Sequence, residues 1–444
     1  MSLSDEIKIL GPTDPAGAAP GGVAVGASTP DAAPLKIEVG PSGDDDRFSR
    51  FRLIRWWDQQ KLARAKVLVV GAGALGNEIV KNLCLLGVGN ILITDLDTVE
   101  NSNLSRSVLY RASDNGTPKA VAAARAAKDL YPDVRVQGLV ANVVYDLGMG
   151  AYRWADVVIG GLDNREARLA INRAALRFGK PWIDGAIEQI QGTARVFAPG
   201  DGPCYECTMS DTDWRLLAMR RSCNLLTRDE MSAGGKTPTT PTISSIIAGV
   251  QAQEAVKLIH GLPTIAGKGW VFDGFGTDAY TVEFQRKESC LSHDPLDDVI
   301  ELDAGSADVT LRDLLGEARR ALGPGAELEL PRDVLHKLAC PGCGSAEEMF
   351  VSLGKVPASA AWCPACRRAG RDVRREVVTF YKVRGDEPFL DRTPAAIGLP
   401  PFDVLTARNT RDPARAGRAV GLELTCDAEN VLGPLWEGGP LEWS

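Results

Sequence analysis

The chain has 444 residues, enough for two or three domains, and its 44% hydrophobic and 24% charged residues are the balance of a globular protein. The net charge of −8 argues against nucleic acid as a partner, since nothing overall draws phosphate toward the chain. No apolar run reaches the ~18 residues of a bilayer span, and the start MSLSDEIKIL lacks the flanks of a signal peptide, so a cytoplasmic protein with no membrane contact is expected. In a reducing compartment the ten cysteines read as metal ligands or catalytic thiols before disulfides.

Residues 11–43 are rich in Gly, Ala, Pro and Ser without an apolar period, so a disordered tail is expected over 1–44. From Arg47 to Lys66, arginines alternate with Phe48, Phe51, Trp56 and Trp57, which suggests a helical lead-in packed by its aromatics. Its arginines fit either a solvated face or charge offered to a nucleotide. Val67–Val70 is a short apolar run that reads as a buried strand. Gly71, Gly73 and Gly76 follow at G-x-G-x-x-G spacing. Asn77–Leu86 then carries a helical stripe of Ile79, Val80, Leu83 and Leu86. Strand, glycine turn and helix present free backbone N–H groups to a phosphate. The second strand, Asn90–Thr94, ends at Asp95 and Asp97. An acid about 20 residues after the turn suits a ribose hydroxyl. To this point NAD(H) and ATP fit equally.

The next segment separates them. Asn103, Arg106 and Lys119 cluster after the second strand, where a dehydrogenase has no use for cations. An enzyme that breaks the α–β phosphate bond of ATP needs such groups to neutralise developing charge. Val157–Gly160 reads as another strand, followed by Leu162-Asp163-Asn164. Ligands sit at the carboxyl ends of strands in doubly wound sheets, so Asp163 is placed to hold Mg²⁺. Pro181–Gly185 and Thr193–Phe197 continue the strand series. Trp270–Asp273 and Tyr280–Phe284 read as antiparallel strands, and Thr242–Ile259 as a packing helix. Cys340-x-x-Cys343 and Cys363-x-x-Cys366, 19 residues apart between inner members, have zinc-ribbon spacing and imply a structural Zn²⁺.

The block from Arg47 to His293 resembles the ubiquitin-activating (E1) superfamily with its ThiF and MoeB branches, which activate sulphur carriers. The residues that carry the resemblance are Arg47-x-x-Arg50, the glycine turn with Asp95-x-Asp97, Val99-Glu-x-Ser-Asn103-Leu-x-Arg106, Gly116-x-x-Lys119-Ala, Leu162-Asp163-Asn164 with Arg168, and Cys204-Tyr-Glu-Cys207. It implies a Rossmann-like α/β mixed sheet with helices on both faces, spanning 45–294. It also implies ATP and Mg²⁺ as cofactors: Gly71, Gly73, Gly76, Asp95 and Asp97 toward nucleotide, Asn103, Arg106 and Lys119 toward phosphates, and Asp163 toward Mg²⁺. Arg50, with Arg47, would reach across a homodimer interface. Cys290-x-x-His293 stands where related activators carry a second C-x-x-C, which implies a Cys₃His Zn²⁺ site with Cys204 and Cys207. Cys223, beside Arg220 and Arg221 in a crossover segment of about 208–241, would take the activated tail as a thioester. Ser107 replaces the Gln usual after Arg106, which touches a secondary contact.

The region 295–444 reads as a smaller α+β zinc-ribbon region. It opens on an acidic linker over Asp294–Asp303, then an amphipathic helix Thr310–Leu322 and a strand at Val377–Lys382. The implied function is ATP-dependent adenylation of the C-terminal glycine of a ubiquitin-like protein, transfer to Cys223 and delivery to an E2-like conjugating enzyme. The layout is similar to that of the activating enzymes of bacterial ubiquitin-like conjugation operons linked to antiphage defence. Thiocarboxylate formation on a sulphur carrier is the alternative. An NAD-dependent oxidoreductase and an inactive scaffold are the remaining readings.

Overall fold

The computed structural model describes residues 46–200, 202–215, 238–414 and 417–436. The expected tail over 1–44 lies outside them. Contacts divide the chain into residues 1–49 and a compact unit of residues 50–444.

The first sheet is built around β1 (Lys66–Val70). It runs parallel to β2 (Asn90–Asp95) on one side and to β4 (Val157–Gly161) on the other. β3 (Arg135–Val140) extends the β2 side and β5 (Trp182–Glu188) the β4 side, both parallel. β6 (Gln191–Phe197), β7 (Lys268–Asp273) and β8 (Asp278–Glu283) then add antiparallel strands, in the order 3-2-1-4-5-6-7-8. The chain leaves β1 for β2 in one direction and reaches β4 in the other, so a crevice opens at the carboxyl end of β1. The alternation within β1 divides two cores. Leu68 and Val70 pack with Trp154 of α4 (Gly150–Trp154) and with Leu169 and Ile171 of α5 (Arg165–Arg177). On the other face lie α2 (Ala74–Leu86) and the long helix Pro241–His260, which pack on each other. The expected helices-on-both-faces architecture is what forms. The lead-in reduces to α1 (Gln59–Arg64), capped by the Asp58 side chain. Trp57 before it lies 5.5 Å from the His260 ring.

The second sheet has the order β11-β10-β13-β14-β9, with β12 on the other side of β10. Its strands are β9 (Asp298–Leu302), β10 (Glu327–Ala339), β11 (Ala346–Ser352), β12 (Glu376–Val383), β13 (Val404–Arg408) and β14 (Ala419–Leu424). The helix Leu311–Leu322 starts at a capping box between Thr310 and Asp313 and buries Leu311, Leu314, Leu315, Ala318 and Leu322 with sheet residues Leu328, Leu405 and Leu422. One expectation fails here. The acidic stretch 294–303 is not a linker. Asp298–Leu302 is an edge strand parallel to β14, and Asp294 pairs with Arg177 at 3.1 Å and with Arg408. Its strand partner lies far downstream, so no local composition could reveal it.

The two sheets share a core. Phe402 is fully buried among Trp154, Ala151 and Val431, and its carbonyl accepts from Gly150 N–H at 2.9 Å. Met149 N–H donates to Asp403 at 2.9 Å, and Arg332 pairs with the same carboxylate at 3.2 Å. Glu423 of β14 is buried against Arg153 of α4, and its Oε1 has no hydrogen-bond partner. Burial raises its pKa from 4.5 to about 7, with Arg153 opposing and Glu301 adding. A raised carboxyl stabilises the fold fully below its ordinary pKa, and that contribution is lost as pH rises through about 7. Unfolding stability is therefore expected to fall by up to about 3 kcal/mol between pH 5 and 8, and Glu423→Gln should flatten that slope in denaturant titrations. An unchanged slope would remove Glu423 from the account. Among the described residues no helix is long and apolar enough to cross a membrane.

Candidate functional site

At the carboxyl ends of the parallel strands lies a cleft of about 1580 Å³. Gly71, Gly73, Asp95, Asp97, Asn103, Arg106, Lys119 and Asp163 all line it, so the structure gathers into one place residues spread over almost a hundred positions. Gly71 has φ +93°, and a Cβ on Gly76 would sit 1.9 Å from the Gly71 carbonyl oxygen. The turn therefore closes only with glycine at both ends. Gly76 supports the turn and is not part of the lining. The turn is tied from behind. Asn77 Nδ2 donates to the Ala72 carbonyl at 2.8 Å, Tyr110 O–H donates to the same oxygen at 2.6 Å, and Leu109 N–H donates to Asn77 Oδ1 at 2.9 Å.

Asp95 ends β2 and accepts from Ala72 N–H at 2.7 Å and Asp97 N–H at 2.8 Å. Burial raises its pKa, and these two N–H groups and Lys119 oppose the shift. Asp97 meets Lys119 Nζ at 2.8 Å, which fixes the ammonium at the start of α3 (Lys119–Leu130). Asn103 is buried in the loop after β2, and its Oδ1 accepts from Glu100 N–H at 2.9 Å. Arg106 donates back to the Ser102 carbonyl at 2.8 Å. Asp163 is exposed just after β4, beside Asn164, which N-caps α5 by accepting from Ala167 N–H at 2.8 Å.

The sequence did not single out Asp184 and Arg195. Asp184 is fully buried and accepts from Arg168 Nε at 2.8 Å and from Arg195 Nε at 2.9 Å. Both guanidinium groups line the cleft. Burial pushes the Asp184 pKa up, and the two arginines outweigh it and hold it below the usual value. The fold brings them together: Asp184 and Arg195 stand opposite each other in the β5–β6 hairpin. Arg165 pairs with Asp213 at 2.6 Å, and both line the same cleft.

Cys223 lies outside the described residues. The segment that carries it leaves from beside Asp213 and returns at Thr239, and both of these line the cleft. The return is anchored where Gln189, at φ +52°, donates to the Pro238 carbonyl at 2.7 Å. Arg50 is exposed and does not line the cleft of its own chain, and Arg47 belongs to the separate 1–49 unit.

Two side-chain clusters can hold a metal ion: Cys204, Cys207, Cys290 and His293, and Cys340, Cys343, Cys363 and Cys366. In the first, Cys204 Sγ lies 3.7 Å from Cys207 Sγ and 3.5 Å from Cys290 Sγ, and Cys207 Sγ lies 3.3 Å from His293 Nε2. In the second, the Cys340–Cys366 and Cys343–Cys363 sulfur distances are both 3.7 Å. These distances are too long for a disulfide of about 2.05 Å and match the edges of a tetrahedron with Zn–S of about 2.3 Å. The pairing of Cys290 and His293 with the first knuckle, and the ribbon pairing of the second set, are as expected.

The family model described as the ThiF family matches residues 46–292. A sulfur carrier protein adenylyltransferase of Thermus thermophilus is 40% identical over 154 residues, covering 34% of this chain and 57% of that protein. The SAMP-activating enzyme E1 of Haloferax volcanii is 38% identical over 174 residues, covering 38% and 57%. The Nedd8-activating enzyme E1 catalytic subunit of Drosophila melanogaster is 38% identical over 159 residues, covering 33% and 35%. The chain thus spans little more than half the length of the first two relatives and about a third of the last. With the family match covering more than half of it, and that match spanning the glycine turn and the cations gathered in its cleft, the chain belongs to the ThiF family.

Proposed function

We propose that this protein adenylates the C-terminal carboxylate of a ubiquitin-like protein. The observation that carries the reading is that Asn103, Arg106, Lys119 and Asp163 line one cleft with the glycine turn. A carboxylate oxygen of the carrier attacks the α-phosphorus of ATP. The bond from that phosphorus to the bridging oxygen breaks, and pyrophosphate leaves with the electron pair. The carboxylate is already a nucleophile, so the protein supplies position and positive charge and needs no general base. Lys119 and Arg106 face the charge that builds on the phosphates, and Asn103 offers Nδ2 to their oxygens. Asp163 would hold Mg²⁺ together with phosphate oxygens, and the ion would offset their charge.

In the second step the Cys223 thiolate attacks the acyl carbon and AMP departs, leaving a thioester for a conjugating enzyme. The cleft positions of Asp213 and Thr239 support this. The eight residues from Arg215 to Cys223 span at most about 28 Å, a length sufficient for the thiol to meet the acyl group. The two cysteine clusters would carry structural Zn²⁺, since four protein ligands leave no open position. Arg50, with Arg47, would serve the cleft of a second subunit in a homodimer. Residues 45–294 form the adenylating part of this scheme and 295–444 its C-terminal partner. Activation of a sulphur carrier is the competing outcome, and the name of the Thermus thermophilus relative favours keeping it.

ATP–pyrophosphate exchange that depends on a ubiquitin-like protein ending in glycine is the expected result. No exchange with any such carrier overturns the reading. Cys223→Ala is expected to keep the exchange and lose a reductant-sensitive adduct with the carrier. An adduct that persists moves the thioester to another cysteine. Exchange without any adduct in the unmodified chain favours the sulphur-carrier outcome.

A further inference from the structure

The second sheet contributes to the cleft. Gly354, Val356 and Pro357, from the turn after β11, line it beside Val143, Val144 and Tyr145 of the loop after β3. This wall lies beyond Asp95, because β3 is the neighbour of β2 in the sheet. A nucleotide with phosphates on the glycine turn and ribose at Asp95 points its base toward it.

The wall is apolar and tightly held. The Tyr145 hydroxyl donates to Glu166 Oε1 at 3.1 Å, and its carbonyl accepts from Arg332 at 2.8 Å. Its ring lies against Gly354, where an added Cβ would fall 1.9 Å from the ring carbon Cζ. The next residue, Asp146, pairs with Lys355 across the same contact. Val356 is buried, and Val143, Val144 and Leu162 are half-buried around the opening. These four contacts hold Tyr145 and its neighbour in place, with Val143, Val144, Leu162 and Val356 also lining the cleft.

We propose that the turn Leu353–Pro357 of the second sheet closes the nucleobase end of the cleft and seats the Tyr145 ring as the surface on which adenine packs. This rests on the ATP reading given above. It assigns part of the second sheet to substrate selection and gives the C-terminal region a role in nucleotide binding. The phosphate end is then built by the first sheet, and the base end by its β3 loop together with the second sheet's turn. Polar groups from the first sheet bind charge, and an apolar wall supported by the second selects the base.

The test is titration calorimetry of the full chain with ATP and Mg²⁺, and in parallel with tripolyphosphate and Mg²⁺, which carries the charge without the base. Tyr145→Ala and Gly354→Ala are expected to weaken ATP about tenfold, the scale of base–aromatic stacking, and to leave tripolyphosphate unchanged. Val356→Ser, a milder change that keeps the ring seated, should weaken ATP by less. ATP affinity unchanged in all three variants overturns the proposal. So does a parallel loss of ATP and tripolyphosphate, which marks a purely structural contact. Failure of the unmodified chain to bind ATP at all would instead overturn the adenylation reading.

Discussion

Lys119→Ala in the full chain is expected to lower carrier-dependent ATP–pyrophosphate exchange about 10²–10³-fold, the cost of removing one preorganised group from a charge-developing transition state. The Lys119 side chain is only 12% exposed and opens onto the cleft, and Asp97 at 2.8 Å fixes where its charge sits. Asp97 itself is 57% exposed, so the ion pair contributes no more than about 1 kcal/mol to stability. Thermal unfolding of the variant should therefore stay close to that of the parent, which separates a loss of chemistry from a loss of fold. Lys119→Arg keeps the charge and displaces it, and partial recovery is expected. A fall of less than twofold in the alanine variant would take Lys119 out of the phosphate site.

Asp184→Ala should do the opposite and damage the fold first. It removes the shared carboxylate of Arg168 and Arg195 from a position with no solvent exposure. Breaking a buried pair from one side leaves uncompensated charge, at a cost of about 3–5 kcal/mol, and here two cations lose their partner. The effect has a pH signature with a definite sign. The Asp184 pKa lies below its ordinary 3.8, so its contribution is fully present above that pH and is lost as pH falls through the lower folded value. Denaturant titrations should show a stability gap between parent and variant that is constant at neutral pH and closes in strong acid. Asp184→Asn keeps some hydrogen bonds and loses the charge, and should fall between the two. If Asp184→Ala unfolds at the parent's denaturant midpoint, the two arginines are held by something other than this carboxylate.

The parts of the site that were legible in the sequence are those whose partners are close along the chain. Gly71 and Gly76 are required locally, by a positive φ and by the close approach of the Gly71 carbonyl oxygen, and strand and helix flank them. Asp95, Asn103, Arg106 and Lys119 all sit within the one connection from β2 to α3, at the carboxyl edge of the parallel strands. The cysteine and histidine positions were legible because metal geometry restricts spacing so strongly. Asp184 was passed over because an acid in a strand says nothing until the hairpin register sets Arg195 opposite it. The contact of Tyr145 with Gly354 has no local trace, since it joins two sheets and depends on a missing side chain. The strand Asp298–Leu302 was misread for a related reason. Its acids lie at an edge, and its pairing residues come from Val420–Leu424.

That edge strand also sets an order of assembly during synthesis. Asp297 and Ala419, which join at the mouth of the β9–β14 pairing, are 122 residues apart. Everything in the first sheet, from β1 to β8, has left the ribosome before β9 emerges, and β9 then waits for β14 to complete its ladder. Long-range parallel pairing closes slowly and exposes unpaired backbone until it does. Until the chain beyond β9 has emerged, Met149 and Gly150 lack their hydrogen-bond partners Asp403 and Phe402. A chain that stops short of Ala419 therefore leaves the β9 edge without its ladder partner.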